Sequence, residues 1–323
     1  MRKRKLNGKL LFVFIVLAIF IVAGLYLEFA LNLPYFKIEN LMNVTRQSST
    51  IALCAMAMGM VLITRGIDLG TGGFMAFCAM ISGLMMLAGA NIYLSMLVGL
   101  AIGAAIGFFN GILISKIEMP PFIATYVTGQ IAAGFAMVLG KGKSIGGMPD
   151  EYMAIGNDVL FGFIPISTVI MIIFWITLTI IMKYTRVGKH IYAIGGNEMT
   201  VRLEGVKVDR VKIFAYTVSG FCASAAGILL SSQMNAVHPT QGSTYQLDAV
   251  AAAVIGGVSM LGGEGKIYMP VLGALIIGFL RNMLTFIGIH PYYQNLAVGA
   301  AIIVVVGISV FNRNKELEAA KVF

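Results

Sequence analysis

The chain has 323 residues, of which 59% are hydrophobic and only 11% carry a charged side chain, and its formal net charge is +9. A mean hydropathy of +0.89 excludes a soluble globular protein and predicts an integral membrane protein. The apolar runs are about 18 to 22 residues long, enough to cross the bilayer as helices. The predicted fold class is all-α: one polytopic membrane domain over residues 1–323.

Apolar windows give ten candidate transmembrane spans. The first follows the basic segment "MRKRK" and is predicted to be an uncleaved helix, because it is too long for a signal peptide and lacks a small-residue cleavage site. The three cysteines lie within apolar runs, which argues against a disulfide framework. The sequence leaves open whether the eighth span is a full or a broken helix. The spans are residues 10–31, 44–64, 69–89, 92–115, 120–140, 161–182, 211–232, 247–262, 267–288 and 292–311.

The positive charges orient these spans. With the N-terminus in the cytoplasm, 18 of the 23 Lys and Arg residues fall on the inner side, four fall on the outer side, and Arg281 lies within a span. This distribution is the one that the positive-inside rule predicts for a bacterial plasma membrane protein with both termini in the cytoplasm. The basic charge therefore indicates topology and does not predict a nucleic-acid partner.

Two segments resemble each other. Residues 107–122 align without a gap on residues 278–293, with Gly107 matching Gly278. The starts of spans three and eight also resemble each other and pair Asp68 with Asp248. Residues 44–140 and 211–311 would then form two repeats of inverted topology, a common plan in membrane transporters. The alternative is coincidence among glycine-rich apolar segments.

Span four carries glycines at four-residue spacing: Gly99, Gly103, Gly107 and Gly111. Such a stripe lets another helix approach closely. We expect ordinary interior packing, and the alternative is a helix crossing that braces a transport pathway.

Residues that would carry chemistry are sparse. The three histidines are scattered among loops and no serine lies in a nucleophile elbow, so the sequence does not predict an enzyme, a metal site or a bound cofactor. The "GKS" of the outer loop between spans five and six lacks the earlier glycine of a phosphate-binding loop. Few acidic residues lie inside the spans, which argues against a carrier driven by protons or sodium.

Four segments together resemble the membrane permeases of bacterial ABC importers for ribose and other simple sugars. They are "GIDLGTGG", "PPFIATYVTGQIAAGFAMVL", "GKHIYAIGGNEMTVRLEGVKVDRVK" and "YQLDAVAAAVIGGVSMLGGEGKIYMPVLGALIIGFL". The resemblance implies that two permease copies form the pathway and that separate subunits bind ATP and magnesium and hydrolyse the nucleotide. It also implies that an extracytoplasmic sugar-binding protein delivers the substrate.

The inner loop, residues 183–210, is the predicted coupling element. Asn197 can cap a short helix that Gly205 ends, with Met199, Val201 and Leu203 as its apolar surface. The alternative is an ordinary solvated loop. The residues predicted to couple to the ATPase are Gly195, Gly196, Asn197, Glu198, Leu203 and Gly205.

The predicted substrate pathway needs amide, hydroxyl and aromatic groups. Arg281 is unusual, because an arginine inside the membrane costs at least about 2.5 kcal/mol unless it is paired or hydrated. It either binds an acidic group of the substrate or, as we favour, makes a structural salt bridge. The candidates are Asn110, Phe122, Thr125, Thr128 and Gln130 in the first repeat, and Arg281, Asn282, Tyr292, Tyr293 and Gln294 in the second.

Asp68 and Asp248 are predicted to cap the starts of spans three and eight, with Arg65 balancing the charge of Asp68. Other functions remain open: a permease of the same architecture for branched-chain amino acids or nucleosides, or a self-powered carrier or channel.

Overall fold

The computed structural model describes residues 34–290 and 293–300, together with residues 21, 22, 24–29, 32, 303 and 307. The helices, in chain order, are α1 Ile38–Ile63, α2 Thr71–Leu87, α3 Ile92–Ser115, α4 Pro121–Leu139, α5 Asp150–Asn157, α6 Ile166–Tyr184, α7 Arg186–Gly196, α8 Glu198–Leu203, α9 Val208–Met234, α10 Tyr245–Ile255 and α11 Pro270–Phe286. Residues 24–29 and 293–300 are also helical. Two short antiparallel strand pairs join β1 Ile145–Gly146 to β4 Ala236–Val237, and β2 Val159–Leu160 to β3 Ile164–Pro165.

The helical membrane fold is confirmed. Among the described residues, α1, α3, α4, α6 and α9 are long and apolar enough to cross a membrane, and α2, α10 and α11 are shorter apolar helices. The fourth and fifth predicted spans match α3 and α4 to within a residue at each end. Most of the first span and much of the tenth lie outside the described residues, as do both chain termini.

The eighth span is shorter than predicted. Its helix, α10, ends at Ile255, and the chain turns at Gly257, where φ is +85°. Eleven residues at 1.5 Å each extend only about 16 Å, roughly half of the hydrocarbon thickness. The hydropathy window continued past Gly256 because the following residues are apolar, although two successive glycines favour a helix end.

The inner loop is mostly helical. Residues 186–196 form α7 and residues 198–203 form α8, so only the second of these helices was predicted. Thr185 begins α7, because its side chain accepts a hydrogen bond from the Gly188 amide at 3.2 Å. Both helices lie near the N-terminal end of α9, whereas α5 packs near its C-terminal end. We refer to these as the α8 end and the α5 end of the molecule.

Helix α1 forms the centre of the core. Its small and flexible side chains, including the run "ALCAMAMGM", are buried almost throughout. By contrast, α3, α4 and α6 expose much of their apolar surface. A bilayer or a partner chain is the environment in which such faces are stable.

The first half of the chain (α1 to α3) and the second half (α9 to α11) pack against each other. α3 packs along α9 and α11 along α1, while α2 contacts α9 and α10 contacts α1. A methyl group added at Gly107 would overlap the Tyr216 carbonyl oxygen of α9, and one added at Gly278 would overlap the Ser48 hydroxyl of α1. The second and third helices of each half therefore lie against the first helix of the other half.

The glycine stripe packs against other helices, as expected. A methyl group at Gly103 would come within 2.5 Å of Ser224 Cβ, and one at Gly111 within 2.5 Å of Ile213 Cα. Both of these contacts are to α9. Only glycine permits the two helices to lie this close together.

Candidate functional site

Helix α8 begins and ends where its sequence predicts. Asn197 Oδ1 accepts a hydrogen bond from the Thr200 amide at 3.1 Å, which satisfies one of the free amides of the first turn. Gly205, with φ at +82°, follows the last turn in the left-handed conformation. This helix is therefore fixed by side chains within its own segment.

The apolar residues of α8 divide between two faces. Val201 is buried, whereas Met199 and Leu203 are 67% and 82% exposed. Residues four apart lie on one side of a helix, so these two side chains form a single exposed apolar edge. We call this pair the α8 edge.

An ion pair holds α8 against α9. Glu198 contacts Lys212 at 2.7 Å and Arg202 at 3.3 Å, and Arg202 also contacts Asp209 at 3.1 Å. Partial burial raises the pKa of Glu198, but the hydrogen bonds and charges of Lys212 and Arg202 outweigh it, so the pKa lies below its ordinary value. The carboxylate therefore stays ionised, and α8 is tied to the first turns of α9.

Arg65 does not balance Asp68, contrary to the prediction. Its guanidinium donates to the carbonyl oxygens of Gly195 and Gly196, at 2.8 and 2.7 Å. These carbonyls end α7, where the helix dipole is negative and attracts a cation. The Gly263 amide also donates to the Ile63 carbonyl at 2.9 Å, so loops from both halves of the chain close over the end of α7.

Asp68 is not the N-cap of its helix. The capping position of α2 is Gly70, and Asp68 accepts only one backbone hydrogen bond, from the Gly70 amide at 2.9 Å. Its other oxygen accepts from the Ser219 hydroxyl at 2.6 Å. The carboxylate stands three residues before the helix begins, so it fixes the entering turn and links it to α9.

Asp248 is not a cap either. It is the fourth residue of α10, after the capping position at Thr244, and its two oxygens lie 3.0 and 2.8 Å from Arg281 Nη2. The structural alternative for Arg281 is therefore the one observed. Arg281 also donates to Asn295 Oδ1 at 3.3 Å, so its charge is neutralised inside the protein.

The first-half pathway candidates make structural contacts. Asn110 Oδ1 accepts from the Thr128 hydroxyl at 2.9 Å. The Thr125 hydroxyl accepts from the Leu69 amide at 3.0 Å and donates to a carbonyl of its own helix at 2.8 Å. Phe122 and Gln130 are exposed on α4. Phe122 and Gln130 are therefore better placed than the buried residues to contact a transported solute.

The second-half candidates form separate contacts. Asn282 exchanges hydrogen bonds with Asn40 at 3.2 and 2.9 Å, and Gln294 donates to the Thr285 hydroxyl at 3.0 Å. Tyr293 is exposed, and Tyr292 lies outside the described residues. Within the described ranges, no hydrogen bond joins the first-half candidates to the second-half candidates.

Sequence reasoning missed the segment between α9 and α10. It folds back along α9, because Gln241 Nε2 donates to the Gly227 carbonyl at 3.1 Å, seven residues before that helix ends. A methyl group at Gly242 would overlap the Gly72 carbonyl, so the starts of α2 and α10 meet inside the protein. The polar run "HPTQG" between two apolar spans was the available signal.

A bundle in which the second and third helices of each half pack against the first helix of the other half, with short helices that meet in its interior, is typical of a multi-pass membrane transport protein. The chain belongs to the family described as the permease component of branched-chain amino acid transport systems, whose model matches residues 40–306.

Several relatives are similar over most of their length. The ribose import permease of Haemophilus influenzae is 38% identical over 280 residues, which cover 85% of this chain and 86% of that protein. The ribose import permease of Escherichia coli K12 is 35% identical over 289 residues, covering 87% and 88%. The D-allose transport permease of the same strain is 32% identical over 283 residues, covering 86% of each chain. No solved structure matches the chain.

Proposed function

We propose that this chain is the membrane-spanning subunit of a bacterial ABC importer that carries a monosaccharide or a similar small sugar. The relatives named for ribose and allose support the sugar. The α8 edge is the observation that supports a partner at this end of the molecule, because two apolar side chains on a firmly held helix are otherwise exposed to water. In this proposal ATP and magnesium bind to a separate cassette subunit, and the permease itself contributes no catalytic residue.

The coupling surface extends beyond α8. A cleft of about 220 Å³ lies between α8 and the turn that joins α3 to α4, and it is lined by residues of both, including Glu118 and Pro120. Glu198 and Gly205 fix the helix, while Gly195 and Gly196 are held by Arg65. A cassette that pushes on α8 would therefore also push on α9 and on the entry to α2.

The remaining partners follow from the exposed surfaces. α4 exposes Val127, Ile131 and Phe135 along one side. We assign this face to a second permease copy across the pathway, with the remaining apolar faces in lipid. The α8 end lies in the cytoplasm and the α5 end receives the extracytoplasmic binding protein, in a plasma membrane orientation that the positive charges support.

The test is co-purification and uptake with the full set of subunits. Leu203→Asp should reduce the cassette that co-purifies with the permease and reduce ATP-dependent D-ribose uptake into proteoliposomes. Phe161→Asp is the matched control for cassette binding, because Phe161 is 86% exposed in the turn between β2 and β3 at the opposite end. Cassette binding that is equal in wild type and Leu203→Asp would contradict the proposed coupling surface.

The family description makes branched-chain amino acids the second candidate substrate. The same proteoliposomes, supplied with L-leucine and a leucine-binding protein, separate the two. Uptake of L-leucine without uptake of D-ribose would show that the transported substrate is a branched-chain amino acid and not a sugar.

A further inference from the structure

A cavity of about 360 Å³ lies at the α5 end of the molecule, and its lining includes none of the predicted pathway residues. It is lined by Leu230, Met234, His238, Thr240, Gln241 and Tyr245. Its volume falls within the range of small-molecule sites, about 300–1,000 Å³. The cavity is built by the segment that folds back between α9 and α10, together with the last turn of α9 and the first residue of α10.

The folded-back segment is held in place on both sides. β4 pairs with β1, and next to this pair the His238 Nδ1 atom contacts the Ser144 hydroxyl. Gln241 donates to the Gly227 carbonyl and accepts from the His238 amide at 3.3 Å. A segment fixed in this way presents its polar groups without a large ordering cost when a ligand binds.

Several hydrogen-bonding groups of the lining stay available. The amide of Gln241 is occupied, but the hydroxyls of Thr240 and Tyr245 and the Nε2 atom of His238 make no hydrogen bond to the described part of the chain. The Tyr245 ring also supplies the flat apolar surface on which a sugar ring packs. These are the groups that bind hydroxylated ligands.

The lining contains no Asp, Glu, Lys or Arg side chain. The nearest carboxylate along α10, that of Asp248, is already paired with Arg281. An amino acid would bring a carboxylate and an ammonium group, and neither would find an unpaired charge in the lining, because the nearby Asp248 and Arg281 neutralise each other, which disfavours its binding. A neutral ligand avoids this cost.

We infer that this cavity contacts an uncharged, polyhydroxylated small molecule, of the monosaccharide class, as it enters the permease. The inference rests on the proposed function and names a contact site for its substrate. Because the lining offers few hydrogen bonds and one wide opening, we expect weak binding, which suits a site that must release its ligand.

Cysteine protection tests the site directly. The native cysteines are at most 1% exposed, so Thr240→Cys adds a single thiol that a hydrophilic maleimide can reach in full-length permease in nanodiscs. Saturating D-ribose should lower the labelled fraction, and L-leucine should not. Lys143→Cys is the matched control, because Lys143 is exposed at the same end but does not line the cavity. Equal labelling with and without D-ribose overturns the site, and protection by L-leucine alone overturns the ligand class.

A second variant connects the site to transport. Tyr245→Phe removes only a hydroxyl and should lower D-ribose uptake by the complete importer about 3- to 10-fold, the effect of one lost neutral hydrogen bond. Tyr93→Phe, an exposed tyrosine in the first turn of α3, should transport as wild type does. If D-ribose protects Thr240→Cys but wild-type uptake needs no ATPase, the proposed function fails while the site stands.

Discussion

Replacing Arg281 by glutamine should destabilise the protein by about 3–5 kcal/mol, because it leaves the carboxylate of Asp248 buried without its partner. The two groups approach to 2.8 Å, and their side chains are only 20% and 4% exposed. At an effective dielectric constant of about 20, unit charges about 4 Å apart attract by about 4 kcal/mol, which is of the same size. The loss is therefore large enough to measure in a detergent-solubilised protein.

A double-mutant cycle isolates this pair. Asp248→Asn, Arg281→Gln and the double variant should be compared by thermal unfolding of purified permease at one detergent concentration. The double variant should cost less than the sum of the single variants, since it removes both charges together. Additivity within about 0.5 kcal/mol would refute the reasoning.

The same arginine was also a candidate for substrate recognition. If the Arg281→Asn variant folds and its uptake of every transported substrate is unchanged, Arg281 does not recognise the substrate. A selective loss for substrates with an acidic group would restore that role.

Three further changes test the α8 end and the entry to α2. Gly195→Ala should lower the yield of folded permease in size-exclusion profiles, because its methyl group would overlap neighbouring backbone, whereas Gly196→Ala has open space around it and should match wild type. Asp68→Ala should reduce folded protein in the membrane more than Asp68→Asn does, and normal protein levels with lost uptake would assign Asp68 to transport instead. The folded-state pKa of Glu198 lies below 4.5 despite burial, so its pairing with Lys212 stabilises the protein above pH 4.5 and is lost as the pH falls through that lower pKa. The stability difference between wild type and Glu198→Gln should therefore shrink in acid, and a difference that stays constant over the whole acid range in which the protein remains folded would contradict the pairing.

The local features of α8 could be predicted because their causes are local. Asn197 and Gly205 act on amides and carbonyls within a few residues, and the sequence shows both partners. The same local reasoning was wrong for Arg65 and Asp68. It paired two charges three residues apart, while the actual acceptors, the carbonyls that end α7, lie about 130 residues along the chain.

The contacts inside the membrane depend on tertiary structure. Asp248 was predicted to be a cap because the repeat aligns it with Asp68, and only the packing of α10 against α11 brings it to Arg281. The paired glycines after Ile255 were a visible signal for the broken helix, but a hydropathy average weighs composition and not helix ends. The cavity near Tyr245 was not predicted, because its lining comes from a segment that appeared to be an ordinary connection.

The glycine seam between α3 and α9 has a mechanical consequence. Side chains that interlock between helices must change rotamer before the helices can slide, whereas Gly103, Gly107 and Gly111 present a smooth track to α9. Small axial displacements along this track need fewer side-chain rearrangements than at any interlocked interface. We therefore expect a small displacement of α9 along the seam to need few rotamer changes at these three positions.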